Sequence, residues 1–311
     1  MQLNREQIPA ILARYNDNIF NGQLSQENLS TLIDEACNRL LAETYIALYE
    51  DRYAFFPAFY RYRRWWRKII EISAGFIYVE DNLNAIDGFI FGVQILLNDS
   101  SDVDEGDIRL RDIGAPIIIR KATYRNHNVP NPPNGVGTCW IRPRDPNSHW
   151  RYGILTCEHN IGHIQSGKPI LLKQLGLGNS INGIAGSVGR PCIDAAIIEI
   201  DSKDWPRGLS KMSVSNPIKA GTAIQLCLPS GNVSGTVLRV SRDPFYFGSS
   251  IGHRCFIDCH GTPGDSGSLI KDNVDLGALY MGEVGYQSNH VEGMCQNMEQ
   301  IASYFDVDFY L

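Results

Sequence analysis

The sequence lacks long hydrophobic runs and any secretory leader. None of its apolar stretches approaches the roughly 18 residues that a helix needs to span a bilayer. The first fourteen residues, Met1 to Arg14, mix charged and apolar side chains at helical spacing and contain no uninterrupted apolar segment. These absences argue against a membrane span and an export signal, and they predict a soluble, cytoplasmic protein.

The chain also lacks an excess of positive charge. Its 28 Lys and Arg residues stand against 34 Asp and Glu residues, which gives a formal net charge of −6. Because binding to a phosphate backbone needs a basic surface, general nucleic-acid binding is disfavoured. Hydrophobic residues make up 43% of the chain and charged residues 20%, as is typical of a globular protein with a real core.

The eight cysteines do not form an obvious metal site. An even number of cysteines in a secreted protein could mean four disulfides, but without an export signal reduced thiols are expected. Zinc is the alternative, because Cys255 and Cys259 are four residues apart and His260 follows them. No second close pair completes a set of four ligands, so the sequence predicts no metal and no other cofactor.

The first 98 residues carry mostly helical periodicity. Apolar residues recur at helical spacing within 8–12 and within 29–40. Two further segments, 61–72 and 86–97, are long enough for helices. We therefore predict a mainly α-helical domain over residues 1–98, with a role in regulation or recruitment.

The residue pattern changes after an acidic stretch at residues 99–111. This stretch is poor in apolar residues, so it is predicted to be a linker. Short β-rich runs then alternate with Gly, Pro, Asn and Asp, as in Tyr152 to Thr156 and Ala223 to Leu228. Runs at this spacing predict an all-β sandwich or barrel. The end, Cys295 to Phe305, returns to helical spacing. The fold class predicted is thus multidomain, with an α domain followed by an all-β domain over 112–311 and a C-terminal helix.

The segment Gly264-Asp265-Ser266-Gly267-Ser268 carries a candidate nucleophile. A serine hydroxyl is a weak nucleophile, so it needs a positioned base and donors that stabilise an oxyanion. Flanking glycines allow the tight turn that aims several N–H groups into one small pocket. A surface turn would have the same composition. The catalytic interpretation makes Ser266 the nucleophile and the N–H groups of Gly264 and Ser266 the oxyanion hole.

A base and its orienting acid have candidates in two apolar segments. His159 ends the strand-like run before it, and Asp194 opens the apolar run Ala195 to Ile200. A buried carboxylate is costly unless it is paired, and a histidine N–H is a suitable partner. His163 and Asp201 are the alternatives, the first beyond the expected strand end and the second in a turn. The chain order His, Asp, Ser is that of double-barrel peptidases and of neither α/β-hydrolases nor subtilisin-like enzymes.

Residues 112 to 305 resemble the trypsin-like (chymotrypsin-fold) serine peptidases, and the compact bacterial type in particular. The resemblance implies one six-stranded β-barrel near 112–205, a second near 215–290, and a catalytic triad in the cleft between them. The residues that carry it are His159 in TCEHN, Asp194 in IDAAII, Ser266 in GTPGDSGS and, more weakly, the Gly-rich strand Gly137 to Ile141.

Two departures from the family pattern bear on regulation. Asn160 follows the histidine where secreted relatives have a disulfide cysteine, in agreement with reduced thiols. The activation sequence, a basic residue followed by Ile/Val-Val-Gly-Gly, is absent. In secreted relatives the acid before the serine pairs with the N-terminus that such a cleavage frees, so Asp265 needs another partner here. Control through the N-terminal domain is therefore expected in place of activation by cleavage.

The resemblance also implies a specificity pocket for the residue before the scissile bond. Its base would lie six residues before the serine, at His260, and its wall in the strand after the serine. His260 could favour an acidic residue or simply fill the pocket, whereas Glu283 argues for the opposite charge, so the specificity stays open. The implied pocket residues are His260, Gly261, Thr262, Tyr280, Met281 and Gly282.

A basic and aromatic cluster at Tyr60 to Lys68 (YRYRRWWRK) has three interpretations. It could grip nucleic acid by stacking and charge, pack its rings inward with solvated arginines, or dock a protein partner. Inward packing is preferred. The sequence as a whole predicts a serine endopeptidase that cleaves a protein or peptide substrate and is recruited or controlled by a protein partner. The alternatives are a catalytically silent binding or sensor module on the peptidase fold and a nucleic-acid-responsive sensor.

Overall fold

The computed structural model describes most of the chain and leaves several segments undescribed. The described residues are 1–54, 69–80, 82–98, 110–126, 135–162, 166–171, 182–188, 193–215, 217–241, 254–273, 275–286 and 289–311. The basic aromatic cluster at Tyr60 to Lys68 and nearly all of the predicted linker at 99–111 lie outside them.

One long helix, three short helices and many strands make up the described part. The helices are α1 (Ile8–Ala13), α2 (Leu29–Ala54), α3 (Glu158–Ile161) and α4 (Met298–Phe305). The strands are β1 (Ile69–Tyr78), β2 (Phe89–Asn98), β3 (Ile117–Asn126), β4 (Cys139–Pro143), β5 (Gly153–Thr156), β6 (Pro169–Leu171), β7 (Asn182–Val188), β8 (Ala196–Ile200), β9 (Ala223–Leu228), β10 (Gly231–Ser241), β11 (Arg254–Ile257), β12 (Leu269–Asp272), β13 (Asp275–Tyr286), β14 (Val291–Asn297) and β15 (Val307–Tyr310). The predicted helices at 8–12 and 29–40 and at the C-terminal end are confirmed. No helix in the described part is both long and apolar enough to cross a membrane.

The strands form two sheets. The smaller has six strands in the order β15-β4-β5-β8-β7-β6, and the larger has nine in the order β1-β2-β3-β13-β12-β9-β10-β11-β14. In the larger sheet β13 also pairs with β14, which closes a ring of six strands that spans residues 223–297, near the second barrel expected at 215–290. β3 was expected in the first barrel, but it pairs with β2 and β13 in the larger sheet.

The prediction of a helix at 86–97 is wrong, because most of this segment belongs to strand β2. The prediction of a helix at 61–72 is wrong for its described end, residues 69–72, which begins strand β1. The two strands pair in antiparallel register. The two strands are rich in Ile and Phe and are buried on both faces. A continuous apolar run does not distinguish a buried strand from a buried helix, and its β-branched and aromatic content favoured the strand.

The N-terminal residues share one hydrophobic core with the larger sheet. Ile8 of α1, Ile33 of α2 and Phe76 of β1 belong to the same buried cluster as Ile224 and Leu238. Strand β1 also pairs directly with β10. A clear N-terminal α domain is therefore not what the described residues show, because α1 and α2 cover a sheet that the rest of the chain completes.

The pairing of β1 with β10 closes a second ring, which encloses a polar core. This ring runs through β1, β2, β3, β13, β14, β11 and β10, and each strand contributes at least one member of a polar network. The network consists of two hydrogen-bonded groups. The first is centred on Arg239 and Glu292, which are fully buried and form an ion pair, with Arg239 Nη1 at 2.8 Å from Glu292 Oε1. Its other members are Ser73, Gln94, Tyr286 and His290. The second is centred on the Glu71 carboxyl, whose partners are Tyr124, Ser241 and Arg254.

One carboxyl of this network should make the protein less stable at higher pH. Burial raises the pKa of Glu71 to about 7, although the charge of Arg254 and the hydroxyl of Ser241 oppose the rise. The folded state therefore holds a proton between the ordinary pKa of 4.5 and about 7 that the unfolded state releases, so stability falls through this window. A shift of this size corresponds to about 3 kcal/mol.

We expect Glu71→Gln to remove this loss. Relative to the wild type, the variant should gain about 3 kcal/mol of unfolding free energy between pH 4 and pH 8. Urea denaturation at several pH values measures the difference. Glu6→Gln, at an exposed position, is the control and should show no trend. A difference between Glu71→Gln and wild type that stays constant with pH contradicts the assignment.

Candidate active site

His159 and Asp194 meet at the edge of the six-stranded sheet. His159 lies in α3, the single helical turn that follows β5, and Asp194 lies just before β8, the neighbour of β5. Asp194 Oδ2 lies 2.5 Å from His159 Nδ1, and Asp194 Oδ1 accepts the backbone N–H of His159 at 3.1 Å. The carboxylate thus holds both the ring and its backbone, and it places the imidazole proton on Nδ1.

This arrangement leaves Nε2 of His159 with its lone pair available. The His159 side chain is only 9% exposed, and Nε2 has no hydrogen-bond partner among the described residues. A buried polar atom without a partner costs free energy, and such atoms concentrate at functional sites. The imidazole is therefore oriented as a proton acceptor whose partner is not yet in place.

Ser266 is buried in the loop before β12, and its hydroxyl is held by another group. Ser266 Oγ donates to the backbone carbonyl of Met281 at 2.6 Å, and the residue has no exposed surface. The hydroxyl proton is thus directed at β13 and not at His159. The structure brings the serine loop next to the histidine turn, since the side chain of Asn160 bonds to the Ser266 carbonyl, but it does not join Ser266 Oγ to Nε2.

The two N–H groups proposed for the oxyanion hole are unused. Gly264 has φ of +101°, a conformation that favours glycine and turns the loop back on itself. Within the described part of the chain neither the N–H of Gly264 nor that of Ser266 donates to a protein acceptor. Their neighbours Asp265 and Gly267 donate to the Thr262 and Tyr280 carbonyls, at 3.0 and 2.8 Å. The loop thus keeps two backbone donors free beside the serine.

Asp265 has the partner that the sequence left unnamed. Its Oδ2 accepts the backbone N–H of Thr262 at 2.7 Å and the Thr262 hydroxyl at 2.9 Å. The side chain thereby closes a small turn within the serine loop itself. Local side-chain-to-backbone bonds of this kind are typical of Asp in turns, and the Thr-x-x-Asp spacing was the available signal.

The residues expected to form the specificity pocket are split between surface and core. The His260 side chain is 48% exposed, and its Nδ1 lies 4.0 Å from the Glu283 carboxylate. That carboxylate also pairs with Arg125 at 3.3 Å. Tyr280 and Met281 are buried, and the Tyr280 hydroxyl accepts the N–H of Gly261 at 2.9 Å. Tyr280 thus holds Gly261 through its hydroxyl, while Glu283 lies between His260 and Arg125 near the surface.

Few residues of metal-ligand type come together. In the described ranges the one such group is Cys157, His159 and Asp194. Burial, and then the charge of Asp194, raise the pKa of the Cys157 thiol well above its ordinary value, and its Sγ–H donates to the Tyr280 carbonyl. A protonated thiol is a poor metal ligand, so the group is better described as a His–Asp pair. Cys255 and Cys259, weighed above as zinc ligands, do not join such a group.

Of the two alternative site residues, only Asp201 lies within the described part of the chain. Asp201 is exposed and pairs with Lys203 at 3.2 Å, so it is a turn residue. His163 lies outside the described residues. All cysteines in the described ranges are free, and all but Cys227 are buried.

The fold and the site together define a mostly β protein with a partly buried His–Asp pair beside a Gly-Asp-Ser-Gly loop. No protein-family model matches the sequence, and no curated protein is significantly similar to it. Similar solved structures include serine proteases of the chymotrypsin-like fold. A Nocardiopsis protease shares 14% identity at a TM-score of 0.43, and the match covers 57% of this chain and 97% of that one.

Two further solved structures give comparable values. Protease A of Thermobifida fusca shares 15% identity at a TM-score of 0.41, over 56% of this chain and 97% of its own. A glutamic acid specific serine protease shares 17% identity at 0.42, over 57% and 93%. At TM-scores below 0.5 these similarities support no argument on function, which rests on the geometry of the site.

Proposed function

We propose that the protein is a serine endopeptidase in which Ser266 is the nucleophile, His159 the general base and Asp194 the residue that orients the base. The observation that carries this proposal is the two-point contact of Asp194 with the ring and backbone of His159. It directs the Nε2 lone pair toward a buried position where no described residue takes it up. A purely structural histidine would instead have both ring nitrogens paired.

In the proposed reaction Ser266 Oγ first leaves the Met281 carbonyl by rotation about its Cα–Cβ bond. The oxygen then attacks the carbonyl carbon of the scissile peptide, and its proton passes to His159 Nε2. The C–O bond forms as the carbonyl electron pair moves to oxygen, where the N–H groups of Gly264 and Ser266 stabilise the charge. As the C–N bond breaks, Nε2 returns the proton to the leaving amine. Water then cleaves the acyl-enzyme by the same steps, and no cofactor takes part.

The substrate segment before the scissile bond is proposed to lie along His260, Gly261, Thr262 and the strand at 280–282. Support comes from the exposed face of His260 and from the Tyr280 hydroxyl that holds Gly261. His260, Glu283 and Arg125 together present both signs of charge, so they favour no single charge on the substrate.

The N-terminal residues 1–98 are proposed to control the site through the sheet that they complete. The backbone N–H of Leu3 donates to Asp258 Oδ2 at 2.9 Å, and Oδ1 of the same residue accepts from Thr236 at 2.7 Å. Asp258 lies two residues before His260. A partner that moves the N-terminal segment would thus act on the strand end that carries the pocket base.

A silent module is the second candidate, and one observation favours it. Ser266 is buried and its hydroxyl donates to the Met281 carbonyl, so a reagent cannot react unless the Ser266 side chain first changes its rotamer. A protein that binds peptides on the same surface without cleaving them needs no such rearrangement.

A fluorophosphonate probe tests the proposal and separates the two candidates. Ser266 Oγ would displace fluoride from phosphorus while His159 takes the hydroxyl proton, leaving a phosphonylated serine. We expect labelling of the wild type, none with Ser266→Ala, and a loss of at least about 10³-fold with His159→Ala. Intact mass spectrometry and in-gel fluorescence measure the labelling.

Ser268→Ala provides the matched control. Ser268 is also buried, lies in the same loop and has an unpartnered hydroxyl in the described structure, so its removal should leave labelling intact. Labelling of wild type and Ser266→Ala alike, or of neither in the full chain, contradicts the endopeptidase proposal and supports the silent module.

A further inference from the structure

Asn160 ties the histidine turn to the serine loop. It follows His159 directly in the chain, and its side chain is 1% exposed. Its Nδ2 donates to the backbone carbonyl of Ser266 at 2.7 Å. The residue next to the candidate base thus bonds to the candidate nucleophile's own carbonyl, 106 positions away.

This contact belongs to a closed ring of hydrogen bonds. Asn160 Nδ2 also donates to Thr156 Oγ1 at 3.0 Å, and that hydroxyl donates to the carbonyl of Val136 at 2.9 Å. The N–H of Val136 donates to the Ser266 carbonyl at 2.8 Å, which closes the ring. Two donors therefore hold the Ser266 carbonyl, one from the loop before β4 and one from the amide of Asn160.

The amide occupies its position at a cost. Asn160 Oδ1 is buried and has no hydrogen-bond partner within the described ranges, and an unpaired buried acceptor is unfavourable. The space that the Asn160 side chain occupies is also available only because residue 135 is a glycine. A Cβ on Gly135, which has φ of +138°, would lie 2.2 Å from Asn160 Cγ. An apolar side chain would fill this space without the unpaired acceptor, so the Nδ2 bonds are the reason for an amide here.

We infer that Asn160 is a positioning residue for the proposed serine chemistry: its amide fixes the Ser266–Gly267 peptide relative to the turn that carries His159. This inference rests on the proposed function. The peptide so fixed adjoins the Ser266 N–H, one of the two proposed oxyanion donors. With its carbonyl held by Asn160 and Val136 and the Gly267 N–H by Tyr280, the loop can change the rotamer of Ser266 without moving its backbone.

The experiment compares Asn160→Ala and Asn160→Asp with wild type in fluorophosphonate labelling at a series of probe concentrations. We expect both variants to lower the limiting rate by about 10- to 100-fold, as for a small misplacement of reacting groups. The half-saturating concentration should change by less than about threefold, because the probe's binding surface is untouched. Asn160→Asp keeps the size of the side chain but lacks the donor at neutral pH. A wild-type rate with Asn160→Asp or with Asn160→Ala overturns the inference.

Amide hydrogen exchange gives a readout that does not depend on catalysis. The N–H groups of Asp265, Gly267 and Ser268 are hydrogen-bonded within or behind the serine loop. We expect faster exchange in the peptide 264–268 for both Asn160 variants. The control is Asn297→Ala, which removes another buried amide whose atoms have no partner in the described structure and should leave that peptide unchanged.

The two readouts separate the two hypotheses. If the wild type is not labelled but the Asn160 variants exchange faster, the endopeptidase proposal is contradicted and the fixing of the serine loop by Asn160 is supported. If the wild type is labelled and the variants show unchanged exchange and an unchanged rate, the role of Asn160 is contradicted and the endopeptidase proposal remains.

Discussion

Replacing Asp194 by Asn is expected to lower the rate of fluorophosphonate labelling by about 10⁴-fold while the fold is retained. Asp194 uses both carboxylate oxygens on His159, one on Nδ1–H and one on the backbone N–H. An Asn amide has one acceptor oxygen and one donor nitrogen, so only one of these contacts survives. If the amide N–H₂ faces the ring, Nδ1 must present its lone pair and Nε2 then carries the proton. That tautomer cannot accept the proton of Ser266.

Asp201→Asn is the matched control for this prediction. Asp201 follows the same apolar strand, β8, but it is exposed and forms an ion pair with Lys203 on the surface. Its substitution should leave the labelling rate within about twofold of wild type, since exposed ion pairs contribute little. Equal labelling of Asp194→Asn and wild type would mean that the His–Asp pair is structural.

The second large effect is expected in the polar core of the seven-stranded ring. Arg239→Met should destabilise the protein by about 3–5 kcal/mol, because it leaves Glu292 buried without the guanidinium that pairs with it. Burial opposes the ionisation of Glu292, but the Arg239 guanidinium outweighs it and holds the pKa of this carboxyl below its ordinary value. The destabilisation caused by Arg239→Met should shrink as pH falls below about 4.5. The Glu292 carboxyl of the variant is then protonated in both the folded and the unfolded state, so no buried charge remains.

Two reference variants make the measurement decisive. Arg239→Met combined with Glu292→Gln removes both charges and should recover at least half of the lost stability. Arg144→Met breaks an ion pair with Asp308 whose arginine is 45% exposed, and it should cost no more than about 1 kcal/mol. Thermal and urea unfolding give the values. Equal losses for Arg239→Met and Arg144→Met would contradict the role of the buried pair.

The candidate site was largely accessible from local sequence because its chemistry depends on short segments. Three short segments can be recognised in the sequence: the Gly-Asp-Ser-Gly loop, the histidine at the end of a strand and the aspartate at the start of a strand. Their order in the chain reduces the number of hydrolase classes that fit. The state of the serine was not accessible. Whether Oγ bonds to His159 or to Met281 depends on a rotamer and on where β13 lies, and no local pattern encodes either.

The N-terminal segment shows the opposite case. Its strands β1 and β2 are apolar on both faces, and a pattern without alternation does not distinguish a strand from a helix. The pairing of β1 with β10, more than 150 positions away, decided the outcome. The polar network was invisible for the same reason, since its members come from seven strands and become neighbours only when the ring closes.

The sequence by itself determined the residue types at the site, the order His159, Asp194, Ser266, and the local Thr262–Asp265 spacing. Tertiary structure alone decided that Asn160 holds the serine loop and that β1 and β2 complete a sheet. The physical reason is the range of the interactions. Turn chemistry and strand ends are set by neighbours in the chain, whereas the pairing of strands and the burial of charge are set by contacts between distant segments.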